Sequence, residues 1–357
     1  MNDFRRILVV RRDNIGDLVL TTPLIHALRQ RFPAAWIGAL TNSYNAPVLA
    51  GNGDLNAVYA YDKAKHHPDR SRLSVAASTA RLLLQLRRMR IDLAILATPG
   101  YQRQASDLVR WIGARAVLGF EGPAGEGRIT LPVEYGAGAA LHAAEDVFRL
   151  LAPLGIHGAP GPCRMVADPT ALAAARAQLG ALRRPLVAVH ISARRPRQQW
   201  PAERFAQLIY ALHQRCGAST LLLWAPGASD DPRHPGDDAK AREIQRLVGE
   251  GAALAALPTA SLTALGAAIA CADLMVCADG GAMHVAAALG KPVVALFGDS
   301  PAHRWHPWGV PQRVISAPAG DLAQQDAAPV IEAAVALLAA VANPDMHHPT
   351  RTGASAT

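Results

Sequence analysis

The sequence predicts an α/β protein in which two doubly wound parallel-sheet domains face each other across a cleft. Three observations support this prediction. Short apolar segments typical of buried strands alternate with segments of helical spacing along nearly the whole chain. The alternation occurs twice, and a segment rich in glycine and proline, residues 156–162, separates the two occurrences. The chain also has 357 residues, which is enough for two hydrophobic cores.

The domain boundaries follow from this pattern. We expect an N-terminal domain, a linker, a C-terminal domain and a disordered tail at residues 1–155, 156–168, 169–342 and 343–357. The tail contains His347 and His348. These histidines have no further candidate ligands nearby, so they do not indicate a metal site.

The first domain is expected to contain five parallel strands, because each of its apolar segments is short and followed by polar or glycine residues. The segments lie at residues 6–10, 36–40, 55–61, 93–97 and 116–120. Helical spacing occurs at residues 18–28, 73–89, 105–112 and 142–154. Pro23 lies about one turn into the first helix, where it is tolerated or introduces a kink.

The second domain repeats the pattern. Strands are predicted at residues 186–190, 220–224, 274–278 and 292–297, and helices at 170–182, 201–215, 237–248, 261–270 and 329–341. In parallel sheets of this kind, ligands bind beyond the carboxyl ends of the strands. Because two such sheets face each other, we expect the ligand in the cleft between the domains.

The charge of the chain indicates an anionic partner. The formal net charge is +8 and the pI is near 9.7. Nucleotides, phosphorylated glycans, an acidic membrane face and nucleic acid all carry the complementary charge. Nucleic acid is disfavoured, because no nucleic-acid motif accompanies the basic residues and aromatic residues make up only 5% of the chain.

The apolar segments and the cysteines favour the cytoplasm. No apolar segment reaches the roughly 18 residues of a membrane span. The N-terminus runs directly into the first strand without the pattern of a signal peptide. The four cysteines show no close metal-type spacing and are predicted to be free thiols: Cys163, Cys216, Cys271 and Cys277.

The segment 273–300 contains the clearest indication of a ligand site. Its first strand leads into a glycine-rich turn at the start of a helix, formed by Asp279, Gly280, Gly281, Ala282 and His284. The free N–H groups and the dipole of such a helix favour a bound phosphate. The two glycines would let the backbone approach a ligand and adopt a positive φ. The alternative is an ordinary strand–helix turn in which Asp279 caps the helix and His284 packs.

A second candidate site lies after the first strand, in the loop that contains Asp13, Asn14, Gly16 and Asp17. A carboxylate in this loop could take a proton from an acceptor hydroxyl, so Asp17 is a candidate general base. Gly16 gives the loop freedom to turn. The alternatives are that Asp17 only caps the following helix, or that Asp13 fills either role.

Three segments resemble a single known family. The opening of the bacterial heptosyltransferases, glycosyltransferase family 9, is similar to RRDNIGDLVLTTPLIHALRQRFP. Their C-terminal motif resembles DGGAMHVAAALGKPVVALFG, whose Asp-x-Gly-x-x-His order is kept by Asp279, Gly281 and His284. Their middle motif, a loop that ends in Trp-Pro before a helix, resembles HISARRPRQQWPAERF. The resemblance extends from Arg6 to about Ala340.

The resemblance implies the GT-B fold, with two Rossmann-like domains and the active site between them. It implies an inverting, metal-independent transfer of heptose from ADP-heptose to the inner core of lipopolysaccharide, with the nucleotide sugar as co-substrate and no other cofactor. The C-terminal domain would hold the diphosphate at residues 279–284. The N-terminal domain would hold the acceptor, with Asp17 as general base beside the loop residues Asp13, Asn14 and Gly16.

The middle motif departs from the family pattern at Gln198. Heptosyltransferases commonly have a lysine there, two residues before Trp-Pro. Arg197 would be the substitute for this cation, although an arginine and a lysine bind phosphate differently. Further candidate phosphate ligands in the loop are Ser192, Arg194 and Arg195. The alternative is a solvated surface loop, and the departure leaves the donor nucleotide and sugar open.

Three other regions are less informative. The loop 225–231 would contact the nucleoside, but it contains no evident base-recognising residue. Acceptor specificity is expected in the loops 41–53 and 63–72, whose basic residues either meet acceptor phosphates or are ordinary solvated charges. His142 and Glu145 resemble a family segment near the linker, and we interpret both as structural.

The leading hypothesis is therefore a glycosyltransferase that acts on an anionic glycolipid or glycan, in peripheral contact with the cytoplasmic face of the inner membrane. A GT-B epimerase would need further acid and base residues in the second domain, and no convincing set is present. A non-catalytic nucleotide-sugar-binding protein is supported only by the missing lysine. A transferase for another nucleotide sugar or another acceptor also fits, and the sequence does not determine the oligomeric state.

Overall fold

The structure of the chain is a computed structural model that describes residues 4–62, 71–122, 129–136, 138, 140–180, 182–231 and 235–342. The predicted tail at 343–357, with His347 and His348, lies outside the described residues. Residues 63–70 of the predicted acceptor loop also lie outside them. Within the described residues, twelve strands form two six-stranded sheets.

The first sheet consists of strands β1 to β6, at Arg6–Val10, Trp36–Asn42, Ala57–Tyr61, Leu93–Leu96, Ala116–Phe120 and Leu131–Val133. Their order is β3-β2-β1-β4-β5-β6, and neighbouring strands are parallel. In the register at the centre, Val9 of β1 lies between Ala39 of β2 and Ile95 of β4. Helices α1 to α5 accompany this sheet, at Ile15–Val19, Thr22–Arg31, Arg72–Arg88, Arg103–Ile112 and Ala143–Phe148.

The second sheet consists of strands β7 to β12, at Leu186–His190, Ser219–Trp224, Leu254–Pro258, Leu274–Ala278, Val293–Phe297 and Gln312–Ser316. Their order is β12-β11-β10-β7-β8-β9, again with parallel neighbours. Helices α6 to α12 accompany it, at Pro169–Leu179, Ala202–Cys216, Asp238–Val248, Leu262–Cys271, Gly281–Ala288, Ala302–Trp305 and Ala327–Ala342. We call each sheet with its helices a half.

The two sheets share one strand order, and this order positions the site. In each sheet the strand that comes first in the chain lies between the second and the fourth, so the chain winds away in both directions beside it. This reversal opens a crevice at the carboxyl ends of β1 and β4, and another at those of β7 and β10. The loops that follow these four strands are therefore the places for a ligand.

The central strands are continuous apolar runs because both of their faces are covered. β4, β10 and β11 are buried along their whole length, with the sequences LAIL, LMVCA and VVALF. One cluster of buried side chains includes residues of both halves, and the far face of each sheet has a cluster of its own. Between the halves, α1 packs against α10, with Ile15 beside Gly281.

Three strands were missed from the sequence, and all three are edge strands. β6 and β12 are edge strands, and β9 is the opposite edge of the second sheet. None of the three is fully buried: β6 has only three residues, β9 is LAALP and contains mainly alanine and leucine, and β12 is QRVIS with three polar residues. Proline in β6 and at the end of β9 also argued against a strand in the sequence, because within sheets proline is confined largely to edge strands.

Two predicted helices were also wrong in detail. The first is two helices, α1 and α2, because Pro23 is in the first turn of α2, where its missing N–H costs no hydrogen bond. The predicted helix at 142–154 is α-helical only at Ala143–Phe148 and continues as a 3₁₀ helix at Arg149–Leu154. Pro153 cannot donate the α-helical hydrogen bond at that point.

The segment between the halves contacts both of them. The N–H of Arg164 donates to the Thr22 hydroxyl of the first half at 2.9 Å. The N–H of Met165 donates to the Ala288 carbonyl of the second half at 2.9 Å. We propose residues 156–168 as the linker, with the two domains on either side of it.

The cysteines are free thiols, as predicted, and three of them are buried: Cys163, Cys271 and Cys277. Burial raises the pKa of Cys163 to about 12, so this thiol is a packing group rather than a nucleophile. Among the described helices, none combines the length and the apolar character that crossing a membrane requires.

Candidate active site

The predicted site residues come together at the two crevices. Asp13, Asn14, Gly16 and Asp17 follow β1, Ser192 and Arg197 follow β7, and the turn 279–284 follows β10. The contact between α1 and α10 brings the first and last of these loops together. The structure thus brings the two strongest sequence signals, more than 260 residues apart in the chain, to one place.

Asp17 is held by an arginine that the sequence analysis did not single out. Arg11 directly follows β1 and is only 4% exposed. Its Nη2 donates to Asp17 Oδ1 at 2.7 Å, and its Nη1 donates to the Ala97 carbonyl. A buried guanidinium with a carboxylate partner makes a strong, oriented contact. The signal in the sequence was an arginine at the end of a buried strand.

The alternative role of Asp17 as a helix N-cap is wrong. Asn14 is at the N-cap of α1, and Asp17 is the third residue of the helix. There its Oδ2 accepts from the backbone N–H of Asn14 at 3.2 Å, which is one half of a capping box. The Asp17 carboxylate therefore has both oxygens oriented, one by Arg11 and one by the helix start.

Asp13 connects the first loop with the loop after β4. Its Oδ2 lies 3.1 Å from Arg11 Nε, and its Oδ1 accepts from Gln102 Nε2 at 3.1 Å. Asn42 and Asn45 donate to its backbone carbonyl at 3.2 and 3.1 Å. Asp13 and Asp17 thus share Arg11, and Gln102 links the two sides of the first crevice.

The glycine-rich turn differs from its predicted backbone geometry. Gly280 has a φ of 162°, which is extended, and Gly281 begins α10, so neither residue is in the left-handed region. The predicted positive φ is wrong. Gly281 instead allows a close approach, because a Cβ on it would be 3.3 Å from Ile15 Cβ. The first N–H groups of α10 have no partner within the helix and point towards the cleft end of the sheet.

His284 lies in the first turn of α10 and is 4% exposed. A Cβ placed on Gly16 would be 2.5 Å from His284 Cδ2, so the imidazole packs directly on the Gly16 backbone of the other half. Trp305 contacts the ring edge-on, with centroids 6.4 Å apart. Within the described residues, His284 Nδ1 has no hydrogen-bond partner although it is buried.

Burial also determines the charge of His284. It lowers the pKa of the imidazole below its usual 6.5, although the carboxylates of Asp279 and Asp17 act in the opposite direction. The ring is therefore neutral near pH 7. A neutral ring whose buried Nδ1 lacks a partner can donate or accept one further hydrogen bond.

Gln198, where the family pattern has a lysine, contacts the glycine-rich turn. It is 5% exposed, and its Nε2 donates to Asp279 Oδ2 at 3.1 Å and to Ser300 Oγ at 2.9 Å. Ser300 Oγ donates to the same carboxylate oxygen at 2.7 Å. Asp279 is therefore held between the loops after β7 and β11, and Gln198 links the two sides of the second crevice.

The other residues of the middle loop lie in different surroundings. Ser192 Oγ accepts from the Ala225 N–H at 2.9 Å and thereby ties the loop to the one after β8. Arg194 Nη2 donates to the Tyr44 hydroxyl of the first half at 3.0 Å. Arg195 pairs with Asp299 at 3.3 Å on the surface, and the side chain of Arg197 is exposed. Among the described residues, no hydrogen bond or ion pair joins the Arg197 side chain to the glycine-rich turn.

A partly buried cation near this loop was also missed from the sequence. Lys240 in α8 donates to the Ile191 carbonyl at 3.2 Å, next to Ser192. Burial lowers its pKa to about 8, so it remains mostly protonated at pH 7. No local pattern marks a lysine in an amphipathic helix as a site residue, so only the fold identifies it.

A set of contacts missed from the sequence joins the halves beside His284. Arg304 Nη2 donates to Asp146 Oδ2 at 2.9 Å. His142 Nε2 donates to the His306 carbonyl at 2.9 Å, and the His142 ring stacks on Trp308 with centroids 4.6 Å apart. The segment HRWHPW, dense in aromatic and cationic residues, was the available signal.

His142 and Glu145 have the structural role that we interpreted. His142 is the N-cap of α5, where its Nδ1 accepts from the Ala144 N–H at 3.1 Å, and Glu145 accepts from the His142 N–H at 3.0 Å. Burial lowers the pKa of His142 to about 4. The ring is neutral, as its two hydrogen bonds, one accepted and one donated, require.

A cavity of about 560 Å³ opens beside Asp13 at the carboxyl ends of β4 and β5. Its lining includes Tyr101, Gln102, Glu121 and Tyr135. The Tyr101 ring lies against Gly122, where a Cβ would be 2.6 Å away, and the Tyr135 ring lies against Gly100 at 2.7 Å. Two glycines thus give two aromatic rings their positions.

No group of three or more His, Cys, Asp or Glu side chains in the described ranges is arranged to hold a metal ion. The chemistry that the site itself offers is a carboxylate oriented by an arginine, next to a helix N-terminus with a neutral imidazole. These groups suit proton removal and the binding of a phosphate.

Comparison with known proteins gives one consistent result. A family model described as glycosyltransferase family 9 (heptosyltransferase) matches residues 79–333. Lipopolysaccharide heptosyltransferase 3 of Escherichia coli (strain K12) is 29% identical over 305 residues, which cover 82% of this chain and 82% of that protein.

Two solved structures have the same fold. The family 9 glycosyltransferase of Veillonella parvula superimposes with a TM-score of 0.76 at 22% identity, covering 94% of this chain and 98% of that one. Escherichia coli heptosyltransferase WaaC, solved with ADP-2-deoxy-2-fluoro heptose, has a TM-score of 0.70 at 20% identity and covers 92% and 98%. The predicted GT-B type fold is thereby confirmed.

Proposed function

Because this chain belongs to glycosyltransferase family 9, we propose that it moves a heptose from ADP-heptose to an inner-core sugar of lipopolysaccharide, with inversion and without a metal ion. The name of the curated relative supports the heptose and the lipopolysaccharide acceptor. The ligand of the WaaC structure supports the ADP-linked donor. The enzyme would act at the cytoplasmic face of the inner membrane, where a lipid-linked acceptor is available.

The observation that carries the proposal is the contact of Gly16 with His284. It brings the carboxylate of Asp17, one residue further along, next to the N-terminus of α10. An inverting transfer needs a base on one side of the anomeric carbon and a phosphate site on the other. The two halves supply these groups at their point of contact.

In the proposed reaction, Asp17 takes the proton of an acceptor hydroxyl. The hydroxyl oxygen forms a bond with the anomeric carbon of the heptose, and the bond from that carbon to the β-phosphate oxygen breaks. The electron pair leaves with ADP. Because the incoming oxygen attacks from the face opposite the phosphate, the configuration inverts. Arg11 keeps the Asp17 carboxylate oriented while this happens.

On the donor side, the N–H groups of Gly281, Ala282 and Met283 would receive the charge that develops on the departing diphosphate. A helix N-terminus favours such an anion, and donors fixed in advance stabilise it without rearrangement. His284 would direct its unpartnered Nδ1 at a phosphate oxygen. Asp279 would not touch the diphosphate, since its carboxylate is already bound by Gln198 and Ser300.

On the acceptor side, the cavity next to Asp13 would hold the sugar that accepts the heptose. Tyr101 and Tyr135 offer aromatic faces on which the C–H groups of a sugar ring can pack, and Gln102 and Glu121 offer polar atoms for its hydroxyls. Asp13, Asn14 and Gly16 would form the wall between this sugar and Asp17. We also propose that the loops 41–53 and 63–72 determine which acceptor is used.

A transferase for another nucleotide sugar is the second candidate, and Gln198 is the observation that favours it. The neutral amide adds no positive charge beside Asp279, and the Arg197 side chain is exposed. A donor with a different charge distribution or another nucleoside would then be accepted. The fold and the base would be the same.

Calorimetric titration with ADP, UDP and GDP, first without metal and then with magnesium, tests the proposal. We expect the tightest binding for ADP and no change on adding magnesium. A preference for UDP or GDP would favour a transferase for another nucleotide sugar. A requirement for magnesium would contradict the metal-independent reaction, and no binding of any nucleotide would indicate a non-catalytic protein.

A further inference from the structure

A basic surface lies on the first half, on the side of the sheet away from the second half. We call it the basic face and define it by the exposed residues of α3 and α4: Leu73, Arg81, Leu84, Arg88, Arg110 and Trp111. The three apolar side chains are exposed to unusual extents, with Leu73 at 83%, Trp111 at 70% and Leu84 at 55%. Large exposed apolar side chains that share one surface indicate an interaction site.

Helical spacing places these residues together. On α3, Leu73, Arg81, Leu84 and Arg88 follow one another at multiples of three or four residues, so they form one solvent-facing stripe. The opposite side of α3 packs on the sheet through Leu86. Arg87 Nη1 donates to the Trp111 carbonyl at 2.9 Å, which joins the C-terminal ends of the two helices.

The segment that contains the basic face is rich in arginine and poor in acidic residues. Residues 71–115 contain eight arginines, no lysine and two aspartates, a net charge of +6 out of the +8 of the whole chain. α3 itself has no acidic residue. An apolar and cationic surface of this kind is what a protein offers to a layer of anionic headgroups.

The basic face is separate from the cleft. α3 and α4 cover the side of the first sheet whose buried cluster contains Leu86 and Val109. The helices α1 and α2 pack in the cluster on the other side, which also includes residues of the second half. A large flat partner can therefore contact the basic face without touching α1 or α10.

We propose that the basic face docks this enzyme on an anionic lipid bilayer, with Trp111, Leu84 and Leu73 entering the headgroup region. The inference rests on the proposed function, since a lipid-linked acceptor is what makes docking useful. α4 begins at Arg103, immediately after the loop 99–102 that lines the acceptor cavity. Docking along α4 would keep the cavity, at the N-terminal end of this helix, within about 15 Å of Trp111, the length of its ten residues. A second copy is a poor occupant, because two arginine-rich surfaces repel each other.

Co-sedimentation with vesicles tests this assignment. Vesicles of phosphatidylcholine alone are compared with vesicles that also contain phosphatidylglycerol. We expect binding at least about tenfold tighter to the anionic vesicles, and weaker binding at higher salt. The double variant Arg81→Glu/Arg88→Glu should lose about tenfold or more of this affinity, and Trp111→Ser should also weaken it.

Matched controls are on the second half. Arg313→Glu and Tyr210→Ser change an exposed arginine and an exposed aromatic residue away from the basic face, and neither should alter vesicle binding. Equal binding to both vesicle types, or unchanged binding of the basic-face variants, overturns the proposal. Self-association that is lost in the same variants also overturns it and assigns the face to a second copy.

Nucleotide titration separates this proposal from the proposed function. The basic-face variants should bind ADP as the unaltered chain does, because none of the substituted residues is near α10. If no nucleotide binds but the anionic vesicles still do, the proposed function fails and the docking surface stands. If ADP binds and the anionic vesicles do not, the docking surface fails and the proposed function stands.

Discussion

The carboxylate of Asp17 is the group on which the proposed chemistry depends, and both of its oxygens are oriented. Asp17→Asn retains the size and most hydrogen bonds but removes the proton acceptor. We expect turnover to fall by about 10²–10⁴-fold, the usual contribution of a general base. ADP affinity, measured by calorimetry, should stay within about twofold, because Asp17 does not belong to the phosphate site.

Asp13 is the rival base, and it provides the matched comparison. Asp13→Asn changes a carboxylate that shares the same arginine and lies in the same loop. We expect a smaller loss of turnover from it than from Asp17→Asn. If Asp13→Asn loses more turnover than Asp17→Asn, the general base is Asp13. The acceptor hydroxyl would then face Asp13 instead of Asp17.

Two glycines near the cleft differ sharply in the space around them. Gly16→Ala would place a Cβ 2.5 Å from His284 Cδ2, whereas Gly280→Ala would meet nothing within 4 Å in an extended backbone. Relieving the first clash requires a shift of the loop or of α10, at about 1–3 kcal/mol. Chemical denaturation should therefore show lower stability for Gly16→Ala, with little change for Gly280→Ala. Equal effects would mean that the halves do not touch at this point in solution.

Single residues also show the limit of reasoning from sequence. The loops that contain Asp17 and His284 could be found, because glycine and acidic residues after apolar strands are local patterns. The partners could not be found, since Arg11, Gln102 and Lys240 are defined by what folding brings next to them. The positive φ expected at Gly280 and Gly281 is wrong, because Gly280 is extended and Gly281 is already helical.

At the level of elements, α10 depends on a connection that runs through Gln198. This side chain and Ser300 both donate to one oxygen of Asp279, which fixes the residue just before the helix start. Gln198→Leu would leave the partly buried Asp279 carboxylate with one donor fewer, at about 1.5–3 kcal/mol. We expect a lower free energy of unfolding and weaker ADP binding.

Gln199→Leu is the control for this substitution. Gln199 is the neighbouring residue, but it is exposed, and its amide donates only to the Ala193 carbonyl at 3.2 Å. Stability and ADP affinity should change little. If both variants weaken ADP binding equally, the loop acts through its general conformation, and the contact with Asp279 is not the cause.

Fully buried elements were the ones that the sequence predicted best. Central strands such as β1 and β10 are covered on both faces and therefore appear in the sequence as continuous apolar runs. The edge strands β6, β9 and β12 are partly exposed and contain polar residues or proline. They are recognised as strands only through their pairing with a neighbouring strand, which cannot be read from the sequence. The prolines at 23 and 153 indicate that a helix is interrupted. Whether a new helix begins, as at Pro23, or a 3₁₀ helix continues, as at Pro153, depends on packing.

At the scale of the whole molecule, the histidine contact between the halves makes stability depend on pH. Folding lowers the pKa of His142 from 6.5 to about 4, so between these values the unfolded chain binds more protons than the folded chain. The stabilisation is complete above about pH 6.5 and is lost as the pH falls towards 4. A pKa change of this size corresponds to about 3 kcal/mol.

Urea denaturation at several pH values between 4 and 7.5 measures this effect. His142→Asn keeps an N-cap but has no titratable ring, so its free energy of unfolding should fall less on acidification than that of the unaltered chain. His190, whose pKa burial also lowers to about 4, titrates in both proteins and cancels in the comparison. Parallel pH profiles would show that His142 is not the source.

The two halves repeat one arrangement, in which a glutamine after one central strand holds an aspartate after the other. Gln102 holds Asp13 on the proposed acceptor side, and Gln198 holds Asp279 on the proposed donor side. The Michaelis constants of the two substrates should consequently respond to different substitutions. Gln102→Leu is expected to raise the KM of the acceptor alone, and Gln198→Leu that of the nucleotide sugar alone. Steady-state kinetics with each substrate varied in turn would reveal this division, and a joint rise of both constants would mean that the halves act as one rigid unit.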